Sequence, residues 1–427
     1  MSRTTRWLFV VLLFATQQTT ADMIALRSEQ LIDGRSDKPI SNAVVLIDNT
    51  TIIAVGQDID IPPVAKVIDL GFVTLLPGMI EAHAHTMMHE ENDYQYTHLK
   101  ESSAYKTLRS LYALQGLLQA GWTSVRIAGE ADVYYGDQAI RQAFDEGYFT
   151  GPRLTGAGHY LSITGGGGDI NYLSPEQSIV ADGYIVNGVA EMREAVRREI
   201  KFGSDWIKLL VTGAFMSAND NPRNVHFSEQ EVRVAVEEAR RHDVPVMAHA
   251  HSAEGIKLAV RAGVRSIEHG SFIDDEAIRL MKKNGTFLVP TMYIGDYYLN
   301  EITNSPAQQK MIELSRETRP EFFANIGKAI RAGVKVTVGT DLAGMANPSY
   351  LAREFAMLIE AGMTPMQAIQ AGTRVNAELF GWDDRLGTIE PGRLADIIAV
   401  EGDPLTDISA LERVVFVMLN GEVVKQP

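Results

Sequence analysis

The sequence predicts an α/β fold, a (β/α)8 TIM barrel over residues 76–380 joined to a small β-sandwich assembled from residues 22–75 and 381–427. Three observations carry that expectation. Apolar, β-branched runs alternate with helical patterns through the middle of the chain, the rhythm of parallel βα units. Helical segments close on Ala120-Gly121, Ala262-Gly263 and Ala332-Gly333 just before the next run, where glycine suits a helix C-cap. Both chain ends carry short β patterns with turn signals, and neither is large enough to enclose a core alone. A doubly wound open sheet is the rival, but no Gly-x-Gly-x-x-Gly follows the first central run.

Taken in order, residues 1–21 stand apart. Arg3 and Arg6 precede the apolar block Trp7 to Ala15, which is too short to span a bilayer, and small residues follow at Thr19-Thr20-Ala21. This is the pattern of a signal peptide, so the protein is expected to be exported, periplasmic or secreted, and free of the membrane after cleavage. Short β runs follow at 24–26, 43–47 and 51–56. The central runs are 78–83, 123–127, 153–156, 206–212, 245–249, 264–269, 286–291 and 334–340, with helical patterns at 228–242, 254–262 and 324–332. Eight units fill a barrel. The tail returns to β patterns at 396–400 and 414–419, the second ending in the turn dipeptide Asn420-Gly421.

Composition narrows the function. The 427 residues carry a formal charge of -15, which argues against nucleic acid or an anionic membrane as partner. There is no cysteine, so the chain forms no disulfide and any metal site must use nitrogen and oxygen ligands, which suits zinc.

Five of the ten histidines fall at predicted strand ends, the mouth where barrel chemistry sits. The first run ends in His83-Ala84-His85, and side chains two apart share a strand face. Lys208 lies in the fourth run, His249 and His251 end the fifth, His269 the sixth, and Asp341 the eighth. Neutral imidazoles and a carboxylate are proper ligands for two divalent ions. His83, His85 and Asp341 are assigned to the more buried ion, and His249 and His269 to the outer one. A free ammonium at Lys208 is awkward beside two dications. Combined with carbon dioxide, its amine becomes an anionic carbamate able to bridge both ions; a lysine snorkelling from the strand end is the alternative. Asp341 can take a proton from a water shared by the ions and return it to a leaving nitrogen.

Pro-Gly-Met-Ile-Glu-Ala-His83-Ala-His85, Lys208, His249, His269 and Gly-Thr-Asp341 together resemble the amidohydrolase superfamily, and 386–396 resembles that superfamily's return into its β-sandwich. The segments 248–256 and 265–270 are similar to its imidazolonepropionase-related branch, with its Xaa-Pro dipeptidases and carboxypeptidase-like enzymes, and above all to bacterial ochratoxin A-hydrolysing members. The resemblance implies a binuclear hydrolase acting on the amide of N-acyl amino acids or dipeptide-like substrates, and a symmetric homo-oligomer, an octamer among the options. An Xaa-Pro dipeptidase, a single-metal cyclic-amide hydrolase or deaminase, and a non-catalytic assembly protein are the alternatives. In 162–169 relatives carry histidine where this chain has Gly167, which removes the usual carbonyl or product contact.

Four residues are expected on the substrate side. His251 shares a face with His249 and either supports the centre or touches substrate. His159 either replaces the imidazole missing at Gly167 or is a satisfied loop histidine. Arg223, in the loop after the fourth run, either forks onto a substrate carboxylate or is a solvated surface cation. Tyr293, with Tyr134, Tyr135, Tyr297 and Tyr298, is expected to line a pocket for an aromatic group, helix packing being the stronger role for the last two.

Overall fold

The computed structural model describes residues 23–427 apart from 89–97, 133, 216, 218, 219, 301–305, 343 and 345. The leader expected over 1–21 lies outside the described residues.

Both chain ends meet in one sheet. Its eight strands are Met23–Leu31, Ile40–Asp48, Thr51–Gly56, Lys66–Asp69 and Val73–Pro77 from the N-terminal part, and Ile397–Glu401, Val414–Leu419 and Glu422–Lys425 from the tail. Val73–Pro77 is the seam. It runs antiparallel to Ile397–Glu401, with Leu75 opposite Ala399, and parallel to the end of Met23–Leu31. Asn420 and Gly421 both take positive φ, 53° and 78°, as the two-residue hairpin turn requires. Leu26, Val45, Ile52, Leu75, Ile397 and Phe416 form the core of this sheet. The ladder is continuous and takes strands from both chain ends, with Met23–Leu31 pairing Lys66–Asp69 along its first half and Val73–Pro77 at its end.

The middle of the chain is α/β, and all its strand pairs are parallel. Met79–Ala84, Trp122–Ala128 and Arg153–Ala157 make a three-stranded sheet. Tyr160–Ser162, Tyr184–Ile185, Ile207–Leu210, Val246–Ser252, Ser266–Phe272 and Phe287–Val289 make a six-stranded one. Two bridges join them. Gly156 O accepts the amides of Asp205 (3.1 Å) and Trp206 (3.2 Å), linking the third and fourth runs. On the other side, Leu288 and Lys335 are joined by a 2.9 Å bond, while Ala82 N reaches Val338 O at 3.3 Å and Asp341 N reaches His83 O at 2.8 Å.

The eighth run departs from expectation: only Val336 makes a β-bridge, and no regular strand forms over 334–340. The buried amide of Asn376 ties the same seam, donating to Ile80 O and Val338 O, both at 2.7 Å, beside the backbone bonds between the first and eighth runs.

The helices follow their caps. Ser228 and Glu231 form a reciprocal capping box on Glu229–Arg240, and Ser252 caps Ala253–Ala262, which ends at Gly263 with φ 98°. One helix is far longer than its sequence pattern: Pro306–Ala332 extends well before the 324–332 segment. Pro320 lies inside it and lacks the N–H that a helix interior uses, which masks the pattern.

Candidate metal centre

The strand ends deliver their side chains to one buried point. His83 and His85 leave the end of Met79–Ala84, Lys208 comes from Ile207–Leu210, and His249 and His251 come from Val246–Ser252. His269 sits in Ser266–Phe272 opposite Ala250, one residue beyond His249 in register. Asp341 Oδ1 lies 3.3 Å from His83 Nε2 and 3.2 Å from His85 Nε2, and Lys208 Nζ is 3.4 Å from His83 Nε2. Two donor sets have their ligand atoms within 4.8 Å of one another: His83, His269 and Asp341, and His249, His251 and His269. All six residues expected to hold metal therefore converge. His251, placed beside the centre from sequence, completes the second set.

The backbone is strained where it aims these groups. His269, Thr291 and Asp341 have φ of 74°, 51° and 61°, a left-handed conformation that costs non-glycine residues about 1–3 kcal/mol each. Thr291 is β-branched, and its hydroxyl lies 2.7 Å from His269 Nδ1.

Burial sets the charges. It holds the His249 and His269 imidazoles well below their ordinary range, helped by the crowding of other imidazoles and, for His249, by Lys208, and takes His251 down to about 3, so all three present neutral rings. It also draws the Lys208 amine down to about 8, against the opposing pull of Glu268 and Asp341. Burial alone would raise the Asp341 carboxyl, but His83, His85 and His269 hold it well below the usual range. Three neutral imidazoles, a buried amine drawn toward its neutral form and an anionic oxygen are the donor chemistry of zinc-like ions.

Sequence reasoning missed the groups behind the donors. Glu268 Oε2 lies 2.7 Å from His83 Nδ1, and Arg126 binds the same carboxylate; all three side chains are fully buried. Burial opposes ionisation of Glu268, yet Arg126, with His83 and Lys208, holds it at about 2. The available signal was a charge inside each of two apolar strand patterns. Glu81 Oε1 accepts from His83 N at 2.7 Å and Thr340 N at 2.9 Å, tying the first run to the residue before Asp341.

Glu130 does similar work for the loop after His85, accepting from Thr86 N (2.6 Å), Thr86 Oγ1 (2.9 Å) and Met87 N (3.1 Å). Burial raises its carboxyl to about 7. A raised acid contributes stability that is full below the unfolded pKa and is lost as pH rises through the folded one. Glu130→Gln keeps an acceptor and removes that term. Relative to wild type, it should gain about 1.4 kcal/mol per pH unit between roughly pH 4.5 and 7, read from chemical denaturation at several pH values.

The amidohydrolase family model matches residues 74–424, most of the chain. The chain belongs to the amidohydrolase family. Ochratoxinase of Aspergillus niger is 34% identical over 428 residues, spanning 93% of this chain and 85% of that protein. Its crystal structure aligns with a TM-score of 0.83 at 30% identity, over 95% of this chain and 96% of that one. A Xaa-Pro dipeptidase with methionine bound in its active site aligns with a TM-score of 0.86 at 33% identity, over 95% and 100% of the two chains. Imidazolonepropionase of Geobacillus kaustophilus is 24% identical over 84% of each chain. These neighbours imply a TIM barrel with an additional domain, in keeping with the two bridged parallel sheets and the terminal sheet.

In this amidohydrolase the centre opens into a cleft of about 1270 Å³, counting its mouth, walled by apolar side chains that include Phe215, Tyr298, Phe322 and Phe323. His251 lines it, and Gly167 stands across from it beside Ser217. Tyr298, expected to serve helix packing more than the pocket, lines it too, whereas His159, Arg223, Tyr293, Tyr134, Tyr135 and Tyr297 do not. His159 is buried with Nδ1 on Glu199 (2.9 Å) and its ring against Tyr135, so it is a satisfied histidine and does not replace an imidazole at Gly167. Tyr293 is buried in packing, with its hydroxyl accepting from Arg353; Tyr134 is exposed and Tyr135 stacks on Phe202.

Arg223 is half exposed, paired with Glu321 at 3.2 Å and laid over Phe272. The cation in the wall is Arg319, from the helix that the sequence only partly revealed, and Asp296 and Glu360 each take two of its hydrogen bonds. Arg223→Ala should therefore change KM for an anionic substrate less than about twofold, since an exposed pair contributes little. A tenfold rise in KM in steady-state assays would restore Arg223 to the substrate side.

Proposed function

We propose that this amidohydrolase is a binuclear metal-dependent hydrolase that cleaves the linear amide bond of N-acyl amino acids or dipeptide-like substrates, in the manner of a carboxypeptidase. The observation that carries the reading is Lys208, a fully buried amine 3.4 Å from His83 Nε2 that lines the same cleft as His249, His269 and Asp341. Single-ion chemistry gives a lysine there no task. With its amine drawn down to about 8, an appreciable neutral fraction exists near neutral pH. The neutral nitrogen bonds to the carbon of carbon dioxide and loses one proton, leaving an anionic carbamate.

The donors suit two divalent ions, zinc first among them: His83, His85 and Asp341 would hold one, His249 and His269 the other, and a carboxylated Lys208 would serve both. Bound there, such ions lower the pKa of a water and polarise a carbonyl. Asp341, ionised and within reach of both imidazoles of the first strand, takes the proton from the attacking water and delivers it to the departing amide nitrogen. The aromatic wall removes water from around the scissile bond and accepts the substrate's bulkier group. His251, neutral and lining the cleft, is placed to touch the carbonyl side.

The similarity to ochratoxinase supports an amide to a C-terminal aromatic residue, with ochratoxin A split to ochratoxin alpha and phenylalanine as the specific case. The likeness to the Xaa-Pro dipeptidase favours a second reading, cleavage before proline. A panel of N-acyl amino acids, Xaa-Pro dipeptides and ochratoxin A decides. N-acyl phenylalanine and ochratoxin A should show kcat/KM at least tenfold above Xaa-Pro, and a reversed order moves the assignment to the dipeptidase. We also propose an exported homo-oligomer lacking residues 1–21, to be checked by N-terminal sequencing of the protein from periplasm or medium and by sedimentation.

A further inference from the structure

We infer that Arg126 is a positioning residue for His83, acting through Glu268 and through the backbone of Ala82; the inference rests on the metal reading above. Arg126 comes from Trp122–Ala128, a strand that carries none of the proposed ligands, and it is fully buried. Its planar fork is used on every side. Nε donates to Ala82 O at 2.6 Å, Nη1 to Ser266 Oγ at 3.2 Å, and Nη2 to Glu268 Oε1 and Oε2 at 3.0 and 2.9 Å. Its Cζ lies over the Trp206 ring, 4.5 Å from the ring centre, a cation–π contact that adds to the hydrogen bonds holding it.

His83 is thus gripped twice. The peptide just before it is held through the Ala82 carbonyl, and its ring is held through Glu268 Oε2, 2.7 Å from Nδ1. A carboxylate only accepts, so Nδ1 of His83 carries a proton and Nε2 is the ring atom left to serve as a ligand. Nε2 faces Asp341 Oδ1 at 3.3 Å and Lys208 Nζ at 3.4 Å. Ser266 Oγ donates to the other oxygen of Glu268, so the carboxylate cannot turn away from His83 while Arg126 and Ser266 hold it. Without Arg126 the carboxylate loses both its orientation and its counter-charge, and the ring it aims is released.

The test uses the full-length chain stripped with a chelator and titrated with Zn2+ alone. Arg126→Met and the charge-neutral pair Arg126→Met with Glu268→Gln are compared with wild type; the pair leaves no unpaired buried charge if the single variant fails to fold. Either folded variant should bind one equivalent of Zn2+ about 10–100-fold more weakly while the second, at His249 and His269, keeps wild-type affinity. A general loosening of the barrel would weaken both. In the metal-free protein, the exchange-slowed Nδ1 proton of His83, assigned by its loss in His83→Gln, should disappear or broaden in the same variants. Wild-type affinity for both equivalents with an unchanged proton resonance, in either folded variant, would overturn the inference. A wild type that binds no Zn2+ would sink the metal reading by itself, and the Nδ1 resonance would then decide the role of Arg126.

Discussion

Lys208→Ala is expected to leave a folded protein that binds one divalent ion per chain in place of two and hydrolyses its amide substrate about 10²–10³-fold more slowly, the scale of losing one electrostatic anchor in a buried site. Lys208 is 1% exposed in the core of the parallel sheet, so its amine was desolvated for a reason other than packing. Alanine removes the charge, the bridge and the volume together. Lys208→Met refills the space with an uncharged chain of similar length and separates the last effect from the first two. Metal content by elemental analysis, circular dichroism and kcat/KM are measured on both variants. A short carboxylate such as acetate, added to the alanine variant, should recover part of the rate by taking the place of the carbamate oxygens. Undiminished hydrolysis with a single bound ion would reject the two-ion reading, and an unchanged content of two ions would reject Lys208 as the bridge.

What the sequence made legible depended on how each residue's role is encoded. His83 and His85 stand out because a strand's two-residue period puts them on one face, and Lys208, His249, His269 and Asp341 because histidine and charge are rare at apolar strand ends. Their supports are less visible. Arg126 and Glu268 look like surface alternation in a half-exposed strand, and only the closed, two-sided burial of the parallel sheets reveals them as a pair.

The substrate wall was the least legible part. Arg223 and Tyr293 follow the fourth and seventh runs as a substrate wall would require, but their side chains turn into other pairings, Tyr293 from the first residue of the helix Tyr293–Asn300. The wall itself comes in part from Phe322 and Phe323 in Pro306–Ala332, whose periodicity is interrupted by Pro320. The place of the eighth run beside the first is held in part by a contact that no local pattern carries, the amide of Asn376 lying 38 residues beyond the Val338 carbonyl it binds.

Asp341→Asn should be the cleanest loss of function in the chain, lowering kcat by up to about ten-thousandfold, the upper end of what a positioned acid–base group contributes. The backbone argues for this substitution over others. Asp341 sits at φ 61°, where asparagine is nearly as comfortable as aspartate, whereas alanine adds left-handed strain and a void. Asparagine keeps an oxygen that can still face His83 and His85, and loses only the charge and the ability to take a proton. Retained zinc with a lost rate therefore assigns Asp341 to proton transfer, and zinc and rate lost together assign it first to holding the ion. A rate within tenfold of wild type rejects both roles.

The metal-free protein gives an independent check. Because its neighbours depress the Asp341 pKa below the unfolded value, the stability it contributes is present above about pH 3.9 and lost as pH falls through the folded value. The Asn variant should accordingly show a shallower loss of stability in acid than wild type, measured by denaturant unfolding after chelation. An equally steep acid limb would mean that the imidazoles around Asp341 do not hold it as an anion, and would remove the physical basis for its role as the base.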